Sequence, residues 1–242
     1  MDQEPDAGRA SVALPKYIQI SEMLIREIAA GHLVDGARLP PERDMAQALA
    51  ISVGTLRKAL GDLEAKGLLD RVQGSGNYIR QRADVSSVYS FFRLERVRGG
   101  GLPTALVLSV ALCHKPALAP EFGPAAMAHR IRRLRLMDGD PVAIEEIWLD
   151  ASHAATLNAE DLSESLYLHY RRTLGLVIAR VEDRIGIGTV PDWSVPSFSP
   201  KTGQTVALVE RLSWLACGAP AEYSRTWFDS ERVRYVARMG KG

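Results

Sequence analysis

Arg133 and Arg135 stand two residues apart, with Leu134 between them and Leu136 after them. In an extended strand the two guanidiniums share one face and the leucines the other. Two guanidiniums side by side repel unless an anion sits between them. Glu222, Ser224, Thr226 and Phe228 repeat with the same period near the C-terminus and also share a face. Ser165 precedes a helical run, where a hydroxyl beside free backbone N–H groups makes an anion seat. A different chemistry is written in "SVGTLRKAL", residues 52–60. There Ser52, Thr55, Arg57 and Lys58 point away from an apolar stripe of Leu56, Ala59, Leu60 and Leu63. Ser52 and Thr55 suit phosphate oxygens, and Arg57 suits a phosphate or a guanine edge. No nucleophile with a nearby base is readable from spacing: the five histidines are scattered, and adjacent Cys113 and His114 are a poor dyad.

These groups need elements to hold them. "PKYIQISEMLIREIAAGHL" has helical apolar spacing and stops at Gly31. "GARLPPERDMAQALA" opens a second helix, with Pro41 in its first turn and Glu42 near the positive end of its dipole. Ser52 caps a third helix that runs to about Lys66, and Gly67 followed by Leu68 supplies the stop. "LLDRVQGSGNYIR" alternates around a Gly-Ser-Gly tip, as a hairpin does. This order is that of a winged helix-turn-helix, whose helix after the turn enters the major groove.

Residues 81–90 are polar with little periodicity and read as a linker between residues 1–80 and 91–242. Beyond them, "HRIRRLRLMDGDPVAIEEIWL" reads as two strands around an Asp-Gly turn. A three-residue turn, Asp138-Gly139-Asp140, puts Glu145 across from Arg133, whereas a two-residue turn puts it across from Arg132. "AEDLSESLYLHYRRTLGL" reads as a helix capped by Ser163 or Ser165 and ended by Gly175. "QTVALVERLSWLACGAPAEYSRTWF" reads as two more strands around Gly218-Ala219-Pro220. The expected fold class is α+β, a winged helix-turn-helix followed by an antiparallel-sheet domain. The four tryptophans are expected in cores, and "GIG" at 186–188 lacks the context of a dinucleotide site.

The chain has 242 residues, 46% of them hydrophobic, and a net charge of +1. The near-neutral total hides a local bias. Residues 1–42 carry four basic and seven acidic side chains, while residues 43–82 carry seven basic and four acidic ones. Two distant cysteines give neither a disulfide framework nor a zinc site. No metal or cofactor is expected, nor a signal peptide or membrane span, so the expected place is the cytoplasm.

Two resemblances sharpen this reading. "LPPERDMAQALAISVGTLRKALGDLEAKGLLDRVQGSGNYI" resembles the DNA-binding domain of GntR-type transcription regulators. The likeness implies that Arg43, Ser52, Gly54, Thr55 and Arg57 lie on DNA, with Lys58 on the same polar face and the wing tip Gly74-Ser75-Gly76 near the minor groove. Val53 departs from relatives that carry a polar or basic residue there, so an operator sequence does not transfer. "IRRLRLMDGDPVAIEEIWL", "SESLY" and "PAEYSRTWF" are similar to the effector-binding UTRA domain of the HutC branch, whose sheet is shared with chorismate lyase. That likeness implies a ligand site of Ser90, Phe91, Arg133, Arg135, Glu145, Ser165, Tyr167, Glu222 and Phe228, with Glu145 across from Arg133. Relatives often carry tyrosine where Phe228 stands.

The expected protein is therefore a homodimeric transcription regulator, a repressor released from a palindromic double-stranded operator by a small anionic metabolite. An enzyme of lyase-like fold fused to a DNA-binding module is the alternative.

Overall fold

The computed structural model describes residues 9–10, 13–81, 89 and 91–238. Ser90 lies outside them. The chain forms two compact units, one of residues 14–102 with the C-terminal end, the other of residues 103–234 with the N-terminal strand β1 (Arg9–Ala10).

The first unit is built on α1 (Lys16–Ala29), α2 (Glu42–Ala48) and α3 (Val53–Ala65), followed by the hairpin β2 (Leu69–Val72) and β3 (Gly76–Ile79). Local signals fix α3 at both ends. Ser52 accepts a bond from the Thr55 N–H at 3.1 Å. At the other end Gly67 takes a φ of 70°, while the N–H groups of Gly67 and Leu68 reach the carbonyls of Glu64 and Leu63 at 2.9 Å each. That is the Schellman closure, in which the left-handed residue is best a glycine. Ile20, Leu24 and Ile28 of α1 pack with Leu56, Leu60 and Leu63 of α3 over Leu39, Leu68 and Ile79. Removing these side chains from water is the main force closing the unit.

Residues 89–102 belong to this same unit and include a short strand, β4 (Leu94–Arg96). Arg26, buried on α1, donates to the carbonyls of Gly101 (2.8 Å) and Leu94 and lies over the Phe92 ring at 5.3 Å. Gly99, Gly100 and Gly101 all have positive φ. A Cβ on Gly100 would stand 1.8 Å from a carboxylate oxygen of Glu27. The triglycine is thus a close-approach segment against the end of α1.

The second unit is a seven-stranded antiparallel sheet in the order β1-β5-β6-β7-β10-β9-β8. Its long strands are β5 (Pro103–His114), β6 (Met127–Met137), β7 (Asp140–Asp150), β8 (Ile178–Thr189), β9 (Thr205–Leu215) and β10 (Pro220–Phe228). β5 and β8 were not legible as strands. Pro220 starts β10 rather than sitting in the turn. Leu134, Ile144, Leu208 and Trp227 form a core on one face with Val190 and Phe198. Trp148 stacks on Tyr223 at 5.5 Å beside Phe122.

The β6–β7 hairpin turns on two residues, Asp138 and Gly139, with φ of 50° and 90° as a type I′ turn requires. By itself that turn would pair Glu145 with Arg132. A bulge at Val142 shifts the register by one, so Leu136 faces Pro141 but Arg135 faces Ala143 and Arg133 faces Glu145. The expected three-residue turn is corrected, while the pair it was invoked to explain is present for another reason.

Between β7 and β8, Ser165 rather than Ser163 caps α4 (Leu166–His169), accepting from Leu168 N–H at 3.4 Å. The helix widens into one π-turn over Tyr170–Leu174 and ends at Gly175 with φ of 68°. Its ends, Ser165 and Gly175, are among those the sequence suggested; the π-turn is not legible there.

Candidate functional site

Two groups of side chains carry the expected chemistry, one in each unit. In the first, Ser52 and Thr55 share a hydroxyl contact of 2.9 Å at the start of α3. Arg43, Gly54, Arg57 and Lys58 are exposed. Arg57 Nε donates to Glu42 Oε2 at 2.6 Å, and Arg71 Nη2 on β2 donates to Glu42 Oε1 at 3.0 Å. One carboxylate therefore ties α3 to the wing. Hydrogen bonding from Arg57 is the chief reason its pKa is lowered. Sequence reasoning gave Glu42 a helix-dipole role only; its two arginines lie 15 and 29 positions away, and no local pattern announces them.

A cleft of about 640 Å³ lies between the start of α2 and the wing, with Arg38, Glu42, Arg71 and Gly74 among its walls. At the tip Gly74 has φ of 76° and Gly76 of 133°. A Cβ on Gly76 would stand 2.9 Å from Arg38 Nε. Gly76 is thus required by the backbone itself, so a valine there strains the hairpin as well as lengthening the tip. Arg57→Ala should weaken operator binding by about 1–3 kcal/mol if the contact is bidentate. Titration at fixed salt measures this, and equal affinity for variant and parent would reject Arg57 as a contact.

In the second unit Arg133, Arg135 and Glu145 lie on one sheet face, and all three are buried. Arg133 donates Nη2 and Nε to Glu145 Oε2 at 2.6 and 3.1 Å. Arg135 Nε stands 2.9 Å from the same oxygen. Both arginines also donate Nη1 to the Glu164 carbonyl at 3.3 Å. Burial pushes the Glu145 pKa up, but the two guanidiniums outweigh it and hold the carboxyl down at about 2. Burial and the neighbouring Arg135 lower the Arg133 pKa.

Glu222 lies on the same face, reached from α4 and its π-turn. Tyr167 and Tyr170 donate to its two oxygens at 3.0 and 2.7 Å, and Ser213 Oγ donates to Oε1 at 3.2 Å. Burial raises the Glu222 pKa despite these donors. Tyr170 and Ser213 were not singled out from the sequence. Tyr170 becomes a partner only because the helix turns wide there, and Ser213 because β9 pairs with β10 in this register.

The structure thus gathers Arg133, Arg135, Glu145, Tyr167 and Glu222, with Ser165 adjoining Glu164. Phe228 shares their face and is buried, opposite Ala143. The Ser165 hydroxyl is engaged as a cap of a single helical turn. Phe91 lies in the other unit.

Comparison with known proteins agrees with both halves. Residues 16–79 match the model for "Bacterial regulatory proteins, gntR family" and residues 98–234 that for the UTRA domain. The HTH-type transcriptional regulator SmoD of Agrobacterium fabrum is 58% identical over 94% of this chain and 97% of its own length. The HTH-type transcriptional repressor NagR of Bacillus subtilis is 27% identical over 94% of this chain and 96% of its own. The crystal structure of YydK from Bacillus subtilis shares the fold, with a TM-score of 0.53 at 23% identity over 94% of this chain and all of that one. These relatives are described as regulators, not as enzymes. A helix-turn-helix with a wing, followed by a UTRA sheet, places this chain in the GntR family of transcription regulators, in its HutC subfamily.

Proposed function

We infer that this regulator is a homodimeric repressor, acting in the cytoplasm, that leaves a palindromic operator when a small anionic metabolite binds the UTRA domain. One observation carries the ligand class. Two buried guanidiniums converge on one oxygen of Glu145, while the second carboxylate of this face, Glu222, is held by tyrosine and serine hydroxyls, so two cationic forks are set side by side where an anion can bridge them. Planar guanidinium forks bind carboxylate and phosphate oxygens through charge-assisted pairs, so an entering anion suits this arrangement. Glu145 then acts as an internal stand-in for part of that anion. Glu222, ringed by hydroxyl donors, suits a ligand that also carries hydroxyl, amide or amine groups. Phe228 suits a less polar portion. The similarity to NagR, a transcriptional repressor, supports repression. Two recognition helices related by a two-fold axis match a palindrome with half-sites about one helical turn apart.

The test is a melting-temperature screen of the full chain against phosphorylated and carboxylated polar metabolites, followed by operator release. A ligand at a hundred times its Kd adds about 2.7 kcal/mol of stability. Loss of Arg133 or Arg135 should weaken that ligand roughly ten- to hundredfold while sparing operator binding. Arg135→Lys should rescue only in part, since an ammonium lacks the planar fork. An Arg133→Ala/Arg135→Ala variant that still releases operator at the parent's ligand concentration would sink the reading.

A further inference from the structure

Arg57 stands on α3, a turn past the Ser52 cap. Its Nε donates to Glu42 Oε2 at 2.6 Å, and among the described residues its two terminal nitrogens donate to nothing. The other oxygen of Glu42, Oε1, takes Arg71 Nη2 at 3.0 Å. Arg71 is engaged at its remaining nitrogens as well, Nε with Asn77 Oδ1 at 3.4 Å and Nη1 with Glu64 Oε2 at 3.7 Å. Arg71 is thus a fixed strut at the base of the wing, while Arg57 is fixed at one nitrogen and open at two. The Arg57 side chain is 64% exposed, and an ion pair in that much water adds little to stability. Holding a long side chain in one geometry also costs rotamer entropy. What the tie supplies is orientation.

We propose that Glu42 is a positioning residue that sets the specificity of DNA recognition: it takes the Nε edge of Arg57 and leaves the Nη1–Nη2 fork to read a guanine in each operator half-site. This rests on the reading that Arg57 lies on DNA and names the base it meets. A guanidinium has five N–H donors in a fixed fork. With Nε engaged by Glu42, the donors left to Arg57 are those of its two terminal nitrogens. Guanine presents a matching pair of acceptors in the major groove, O6 and N7. Adenine presents one acceptor beside an amino donor, so half of the fork would meet a donor. A phosphate accepts from the fork but carries charge, and the Glu42 carboxylate repels it. Of these targets the neutral guanine edge suits an arginine that already holds a carboxylate. The same repulsion opposes binding through phosphates alone, which every duplex offers whatever its sequence. Because Oε1 holds Arg71, one side chain sets both the reading fork and the base of the wing.

The test uses the full chain and duplexes that it recovers from a pool with randomised positions. The best recovered duplex and a scrambled one are then titrated at several salt concentrations. Parent sites should carry a guanine at one position of each half-site. R57A should lose the preference at that position, with the slope of log affinity against log salt unchanged, since no phosphate contact is lost. E42Q keeps the size of the side chain but accepts through one oxygen only, and E42A accepts through none. Both should lower the ratio of best-duplex to scrambled-duplex affinity by about tenfold, with the loss at that same guanine. The scrambled duplex should bind each of them at least as tightly as it binds the parent. Their thermal transitions should stay within about 5 °C of the parent's. An R57A variant as tight and as selective as the parent would overturn both the placing of Arg57 on DNA and this proposal. An R57A variant that keeps the guanine preference while its salt slope falls by about 0.9 per half-site would leave Arg57 on DNA as a phosphate contact and overturn the proposal alone. Glu42 variants that keep the parent's base preference, or that weaken on both duplexes alike, would do the same.

Discussion

Glu145→Ala should cost the UTRA unit about 3–5 kcal/mol, because it removes the carboxylate that buried Arg133 grips through two bonds and Arg135 also approaches. The Glu164 carbonyl would remain as their neutral partner and does not cancel their charge. An added dianion should reverse much of the loss. In a thermal melt, sulfate should raise the variant's transition over sodium chloride at equal ionic strength by clearly more than it raises the parent's, whose general response to sulfate sets the baseline. A variant as stable as the parent, or one that responds to sulfate no more than the parent does, would show that Glu145 is not the counter-ion of this pocket. The pH dependence has a definite sign. The Glu145 pKa falls from 4.5 unfolded to about 2 folded, so its stabilisation is present above about pH 4.5 and is lost as pH drops toward 2. At 1.36 kcal/mol per unit this amounts to about 3 kcal/mol. Glu222, whose folded pKa is raised, works the other way: its contribution is full below its unfolded value and fades as pH rises through the folded one. Acid unfolding of the Glu145→Ala variant should accordingly be shallower than that of the parent.

Asp150→Ala should be comparably damaging for a different reason. Asp150 has no exposed surface and organises the loop between β5 and β6. Its carboxylate takes Lys115 Nζ at 2.6 Å, Ala125 N–H at 3.0 Å and Ser152 N–H at 2.9 Å. Lys115 also donates to the Gly123 carbonyl at 3.0 Å and lies over the Phe122 ring at 4.4 Å. Gly123, at a φ of 64°, would drive a Cβ to 2.3 Å from the Asp150 carboxyl carbon. Removing the carboxylate leaves an ammonium mostly out of water, again a loss of about 3–5 kcal/mol. A Lys115→Met/Asp150→Ala double variant should recover part of it, since the uncompensated charge is gone. Urea unfolding followed by tryptophan fluorescence reads this unit apart from the other, since all four tryptophans lie in it, and a chain with two units need not unfold in one step. A double variant no better than Asp150→Ala would mean that the N–H contacts, not the ion pair, carry the stability.

The parts of this molecule that were legible in the sequence are those fixed by neighbours along the chain. Ser52 capping Thr55 and Gly67 closing α3 are decided within four residues, and both elements fall where the pattern puts them. The shared face of Arg133 and Arg135 follows from the two-residue period of a strand. Their common counter-ion came from the family likeness, not from the local pattern: two turn lengths predicted two different partners, and the bulge that settles the matter has no signature in "DGDPVAIEE". β5 and β8 escaped for related reasons. β5 carries its own irregularity between Val107 and Ser109, and β8 mixes glycines and charges on an edge where burial imposes little pattern. The grip of Tyr170 on Glu222 depends on one wide helical turn, a deviation that sequence periodicity averages away.

The bulge at Val142 also bears on how this hairpin tolerates insertions and deletions over evolutionary time. Between Asp138 and Ala143 the strand holds one residue more than its partner needs. Losing one residue there would iron out the bulge and leave Glu145 facing Arg133. Losing one after Glu145 would turn the rest of β7 over, setting Trp148 toward the charged face and Ile147 toward the stacked tyrosine. Related chains should therefore drift in length at the tip of this hairpin and stay fixed in length below it.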